Sequence, residues 1–132
     1  MTALTRDRNT PMKHAGIIGV PAAAGAVIHA GAIVVANATG YGAPGSTATT
    51  LTYLGRAEES VDNTDGAAGA ATVLVRRLSA FKWGNDGSIT QAHLGKTAYI
   101  VDDQTLAATD GTGTRSAAGR IVGVEPDGVW IE

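Results

Sequence analysis

The chain has 132 residues, with ten basic and twelve acidic side chains, a net charge of −2, 18 glycines and no cysteine. The charge argues against nucleic acid as a default partner, and the missing cysteine excludes disulfides, thiolate zinc sites and a cysteine nucleophile. No apolar run approaches the ~20 residues of a membrane-spanning helix, and MTALTRDRNT lacks the apolar stretch of a secretory signal, so the sequence predicts a soluble protein made in the cytoplasm.

Residues 1–15, MTALTRDRNTPMKHA, show neither helical nor strand period. They predict an extended arm, with Leu4 and Met12 as apolar anchors and Arg6, Arg8 and Lys13 outweighing Asp7. A single β domain is expected over 16–132. Its first strand is Gly16 to Val20, followed by a bend at Pro21 to Gly25. Val27 to Ala36 is apolar, but Gly31 divides it into two short strands. Asn37 to Thr50 predicts a surface loop with a brief strand near Tyr41, and Leu51 to Glu59 returns as β with Gly55-Arg56 inside it.

Val61 to Gly69 is a turn cluster. Thr72 to Leu78 alternates so that Val73, Val75 and Arg77 share one face and Leu74, Arg76 and Leu78 the other. Neither face is cleanly apolar, which predicts an edge strand or one whose arginine meets a neighbouring subunit. Phe81 to Trp83 extends as a short strand. Thr90 to Leu94 predicts the one helical turn, with Thr90 as N-cap and Gly95 just past its end. Ala98 to Val101 runs into a reversal at Asp102-Asp103, and TDGTGTRS is a polar loop. Ala118 to Val124 and Val129 to Ile131 predict a hairpin, with Asp127-Gly128 as its type I′ turn.

Four Asp-Gly dipeptides and the scarcity of helical period give the fold class: all-β, a small antiparallel sandwich or barrel-like domain with an extended N-terminal arm and at most one short helical turn. Residues 32–59 also echo 98–125 in order: an apolar strand, an Asn- or Asp-bearing turn, a Gly/Ser/Thr loop, then Gly-Arg in a returning strand. Two pseudo-symmetric β units account for this, and so does chance self-similarity in a Gly/Ala/Thr-rich chain.

The residues suggest no chemistry. His14, His29 and His93 have no zinc-ligand spacing, and Asp102, Asp103 and Asp110 lack the pattern of a calcium loop. Gly111 to Ser116 lacks the Lys-Ser/Thr ending and following helix of a phosphate loop. No serine has a nucleophile-elbow context, and Glu58-Glu59 would point to opposite faces of a strand. The reading is therefore no enzyme, no cofactor and no metal. Arg76, Arg77, Phe81, Lys82 and Trp83 are better used as interface anchors than as a platform for single-stranded nucleic acid, given the small patch and the acidic balance.

MTALTRDRNTPM, then GSTAT, LGRAEE and VDNT, then LGKTAYIVDDQTLAATDGTGTRSAAGRIVGVEPDGVW, resemble the small capsid cement (decoration, or minor capsid) proteins of tailed bacteriophages and prophages. The resemblance spans nearly the whole chain, with its most specific part in the last block. It implies a β-rich, β-tulip-type virion protein on the outer surface of the head, commonly a homotrimer, that secures neighbouring subunits of the major capsid protein. It transfers no catalytic residue and identifies no contact residue. On this reading Leu4, Arg6, Arg8, Met12 and Lys13 form a capsid-binding arm, and Arg76, Arg77, Phe81 and Trp83 a trimer interface. The alternative is a small β-module that binds carbohydrate or another surface through aromatics on a concave face.

Overall fold

The computed structural model describes residues 2–132, and over them short strands alternate with turns set largely by Asn and Asp side chains. Asn37, Asp62, Asp86 and Asp102 each accept, through Oδ1, the backbone N–H two residues on, at 2.8–3.0 Å. A short carboxylate or amide thus stands in for a backbone carbonyl and reverses the chain. These acids are accounted for by turn geometry.

The all-β expectation holds. The strands are β1 (Ile17–Pro21), β2 (Val27–Ile28), β3 (Ile33–Ala36), β4 (Gly42–Pro44), β5 (Thr52–Ala57), β6 (Val61–Asp62) and β7 (Thr72–Arg76), then β8 (Phe81–Asn85), β9 (Thr97–Ile100), β10 (Thr105–Ala107), β11 (Ala117–Glu125) and β12 (Gly128–Ile131). The one helical piece among the described residues is a 3₁₀ turn, Gln91–His93, where Thr90 is expected to cap it; the Thr90 N–H donates to His93 Nδ1 at 2.9 Å. Strands β10-β8-β12-β11-β9 form a closed barrel, while β1-β7-β5-β3-β4 form a five-stranded sheet and β2 pairs with β6.

The sheet and the barrel are the same unit, built twice. Ile33, Val34 and Val35 of β3 face Arg56, Gly55 and Tyr53 of β5. Shifted by 64 residues, these pairs become Thr97, Ala98 and Tyr99 of β9 facing Arg120, Gly119 and Ala117 of β11, as observed. The same shift carries Val35–Ala43 and Ala36–Gly42 onto Tyr99–Ala107 and Ile100–Leu106. One residue is skipped in both returning strands, at Leu54 and at Ala118. Ala57 faces Val75 and Ile121 faces Ile131, and β7 meets β1 in the register in which β12 meets β8. The turn into the central strand repeats as well. Gly31 and Gly95, at φ 86° and 83°, donate to the carbonyls of Ala57 and Ile121, each at 2.8–2.9 Å. Of the two accounts of the sequence echo, pseudo-symmetric units fit and chance does not. The true shift is 64 residues, the spacing of the two Gly-Arg pairs, rather than the 66 implied by laying 32–59 on 98–125.

One atom explains why only the second copy is fully closed. In that barrel Gly84 N donates to Gln104 O and Asp86 N to Leu106 O, tying β8 to β10 in parallel. In the first copy Ala23 N still donates to Gly42 O at 2.8 Å, but Pro21 stands where Gly84 would be, and proline has no N–H. Only the single parallel bridge Ala22–Gly42 remains.

Each copy has its own core. Val20, Val34, Ala57, Val73 and Val75 fill the first, with Ile28 of β2 and Ala32. Larger side chains fill the second: Phe81, Trp83, Ile100, Leu106, Ile121 and Ile131. Ile33 and Val35, on the other face of β3 from Val34, join that second cluster, so the two copies share one apolar seam.

Three local expectations need correction. β7 is not an edge strand: it lies between β1 and β5, with Val73 and Val75 fully buried and Leu74 outward. Arg77 falls beyond its end, so the apparently mixed face is apolar over the paired length. The last hairpin reverses on Pro126-Asp127, with Glu125 opposite Gly128. Neither Asp127 nor Gly128 has positive φ, so the type I′ turn is absent; Pro126 fixes the first central φ near −65° and imposes a different turn. Glu58 and Glu59 lie past the end of β5 in a bend, not on opposite strand faces.

Candidate binding surfaces

Residues 2–14 are exposed along their whole length and belong to no strand. Leu4 is 72% and Met12 89% exposed, the latter the most exposed large apolar side chain among the described residues. Arg6, Arg8 and Lys13 are likewise exposed. Met1 lies outside the described residues. The root of the arm is fixed: Arg77 N donates to Gly16 O at 2.7 Å and Arg77 Nη1 to Ala15 O at 3.3 Å. Two stretches singled out separately in the sequence therefore meet, with Arg77 as the post on which the arm turns.

Arg76 has a different role. It stands directly across from Arg56, a like-charge pair that alone would push β5 and β7 apart. Glu58 bridges them: Oε1 accepts from Arg56 Nη2 at 2.6 Å and from Arg76 Nε at 2.7 Å, and Oε2 from Arg76 Nη2 at 3.3 Å. Hydrogen bonds from Arg76 and then Arg56 hold the Glu58 carboxyl down to about 2. The Arg56 guanidinium lies over the Phe81 ring, 5.0 Å from its centre. This network ties the first copy to the first strand of the second.

Phe81 and Trp83 are not exposed anchors. They are 8% and 6% exposed, with ring centres 6.1 Å apart, and belong to the second barrel's core. Strand alternation explains the error: Phe81 and Trp83 share the inward face of β8, while Lys82 points out. Trp83 Nε1 donates to Tyr53 Oη at 3.2 Å, satisfying a buried indole N–H across the seam. Burial pushes the Tyr53 phenol up. The outward tryptophan is the half-buried Trp130, with Lys82 Nζ 5.9 Å from its ring centre and held by Asp127 Oδ2 at 2.9 Å. Sequence reasoning passed over Trp130, although its place one residue out of phase with the inward Val129 and Ile131 was a legible signal; its position opposite Lys82 is set by the pairing. With Phe81 and Trp83 inside, the carbohydrate-binding alternative loses two of its six aromatics.

Among the described residues no group of three or more His, Asp or Glu side chains is placed to hold a metal ion. Comparison with protein-family models, curated proteins and solved structures found no match.

Proposed function

We propose that this chain is a structural virion protein: a cement protein that sits on the outer surface of a phage head and secures neighbouring major capsid protein subunits. The observation that carries this reading is the exposed arm. Arg6, Arg8 and Lys13 against Asp7 give it a charge of +2, so within a whole-chain charge of −2 the remaining residues carry −4. An extended basic segment with two solvent-exposed apolar anchors is rooted on an acidic, turn-rich β body. That arrangement suits reaching across a joint rather than completing the arm's own domain.

Residues 1–15 fully extended span about 50 Å, enough to cross from one subunit to the next. Ordering them costs about 1–2 kcal/mol per residue of backbone entropy, which strand pairing, charge contacts and burial of Leu4 and Met12 must offset. A repeated lattice multiplies modest contacts. No step of this work needs catalysis, a cofactor or a metal. The test is a density map of expanded phage heads incubated with the chain. Density for the β body on the outer surface, with the arm continuing over a subunit joint, is the expected result. Bare heads at saturating protein would overturn the proposal, and trimers on the surface would extend it to the expected assembly state.

A further inference from the structure

The ladder between β5 and β7 stops early. Glu58 N donates to Leu74 O at 2.9 Å, and Ala57 faces Val75 and Arg56 faces Arg76. The next partner for Leu54 would be Leu78, but Leu78 has φ 59° and turns the chain away. Leu54 is also the residue skipped against β3, so it is paired in neither register. The result is a short open strand edge at the seam between the two copies.

That edge lines a groove of about 540 Å³, whose lining includes Tyr53, Leu54, Phe81, Arg77, Leu78 and Glu132. Leu78 is anomalous twice. It is 76% exposed, and it holds a left-handed conformation that disfavours any side chain with a Cβ. A residue both strained and solvated contributes little to the folded chain, and such outliers collect where a partner binds. The charged groups near the groove differ in their partners. Glu132 is held by Arg120, and Arg56 and Arg76 share Glu58, whereas Arg77 has no carboxylate partner among the described residues.

We propose that this groove is a strand-addition site for an extended peptide segment of another protein. The segment pairs its backbone with the open edge at Leu54, lays an apolar side chain against Leu78 and Tyr53, and places a neighbouring carboxylate on Arg77. Backbone pairing supplies affinity, and the apolar contact and the charge supply selection. The site goes beyond the capsid reading and stands whether or not the partner is a capsid subunit.

The test uses the full ¹⁵N-labelled chain and a capped heptapeptide of alternating threonine and valine, with a central leucine flanked by aspartate. The expected result is a set of amide shifts confined to Leu54, Gly55, Leu78 and their neighbours. Binding should weaken about tenfold or more with lysine in place of aspartate, or with Arg77→Gln, the loss expected for one charge-assisted contact. N-methylation of the peptide backbone should abolish it. Leu78→Gly separates binding from structure: relief of the left-handed strain should raise the melting temperature by about 2–4 °C while peptide binding falls. The proposal is overturned if no peptide shifts these amides at millimolar concentration, or if the two charged peptides bind alike. It fails equally if Leu78→Gly destabilises the chain and leaves binding unchanged. Concentration-dependent self-association removed by Leu78→Gly would assign the groove to a second copy and also overturn it.

Discussion

Replacing Trp83 with alanine decides whether this tryptophan is core or interface. It is 6% exposed, packs against Phe81 and reaches Tyr53 through its indole N–H. Truncating a buried tryptophan to alanine costs about 3–5 kcal/mol, because transfer energy is lost and a cavity remains. Against a total stability of about 5–15 kcal/mol, the variant should retain about a half to seven-tenths of a mid-range value. At about 3–5 °C per kcal/mol for a chain of this size, melting should fall by about 9–25 °C. Urea titration followed by far-UV circular dichroism measures it, with the remaining Trp130 as an independent fluorescence probe. Trp83→Phe, which keeps a ring but loses the N–H, should give a distinctly smaller loss. An unchanged urea midpoint for Trp83→Ala, together with altered self-association, would refute the core assignment and restore the interface reading.

Two further outcomes follow from the geometry. Glu58 has a depressed folded pKa, so the stability it contributes is present above its ordinary value of about 4.5 and is lost as pH falls toward about 2. Glu58→Gln should flatten the acid limb of a stability–pH profile over that window, and an unaltered limb would show that the bridge between Arg56 and Arg76 contributes nothing. Pro21→Ala restores the N–H that the second barrel has at Gly84; a new hydrogen bond of about 1 kcal/mol is offset by the lost stiffness of proline, so melting should barely move. The new amide should nevertheless be protected from hydrogen exchange, and rapid exchange there would show that the first copy cannot close.

The strands were legible because apolar runs and Asn, Asp and Gly turns are local signals. Whether Thr72 to Arg76 lay at an edge was not, because the identity of a strand's neighbours is set by pairing across the chain. Arg77 made the Val73/Val75 face look mixed, although it lies past the last paired residue. The turn at Asp127-Gly128 failed because Pro126 sets the reversal one residue earlier. The duplication was half visible. Gly55-Arg56 and Gly119-Arg120 carry the correct 64-residue spacing, as do His29-Ala-Gly31 and His93-Leu-Gly95. Core residues hide it, because Gly42 and Val20 of the first copy correspond to Leu106 and Trp83 of the second, and the strand registers persist where the side chains have diverged. Of the candidate site residues, the arm is as exposed as its lack of period suggests. The seam groove had no sequence signal, since Leu78's left-handed backbone is invisible in its identity.

The most direct test of the cement reading is occupancy on purified expanded heads, compared at matched concentration and salt between the full chain and one lacking residues 2–13. Circular dichroism should first show that the shortened chain keeps its β spectrum, because residues 2–14 lie outside every strand. The account predicts near-saturation for the full chain and a large loss for the shortened one, with the full chain's binding weakening as salt screens Arg6, Arg8 and Lys13. Equal occupancy of the two chains would contradict it, because the arm would then be a passive tail.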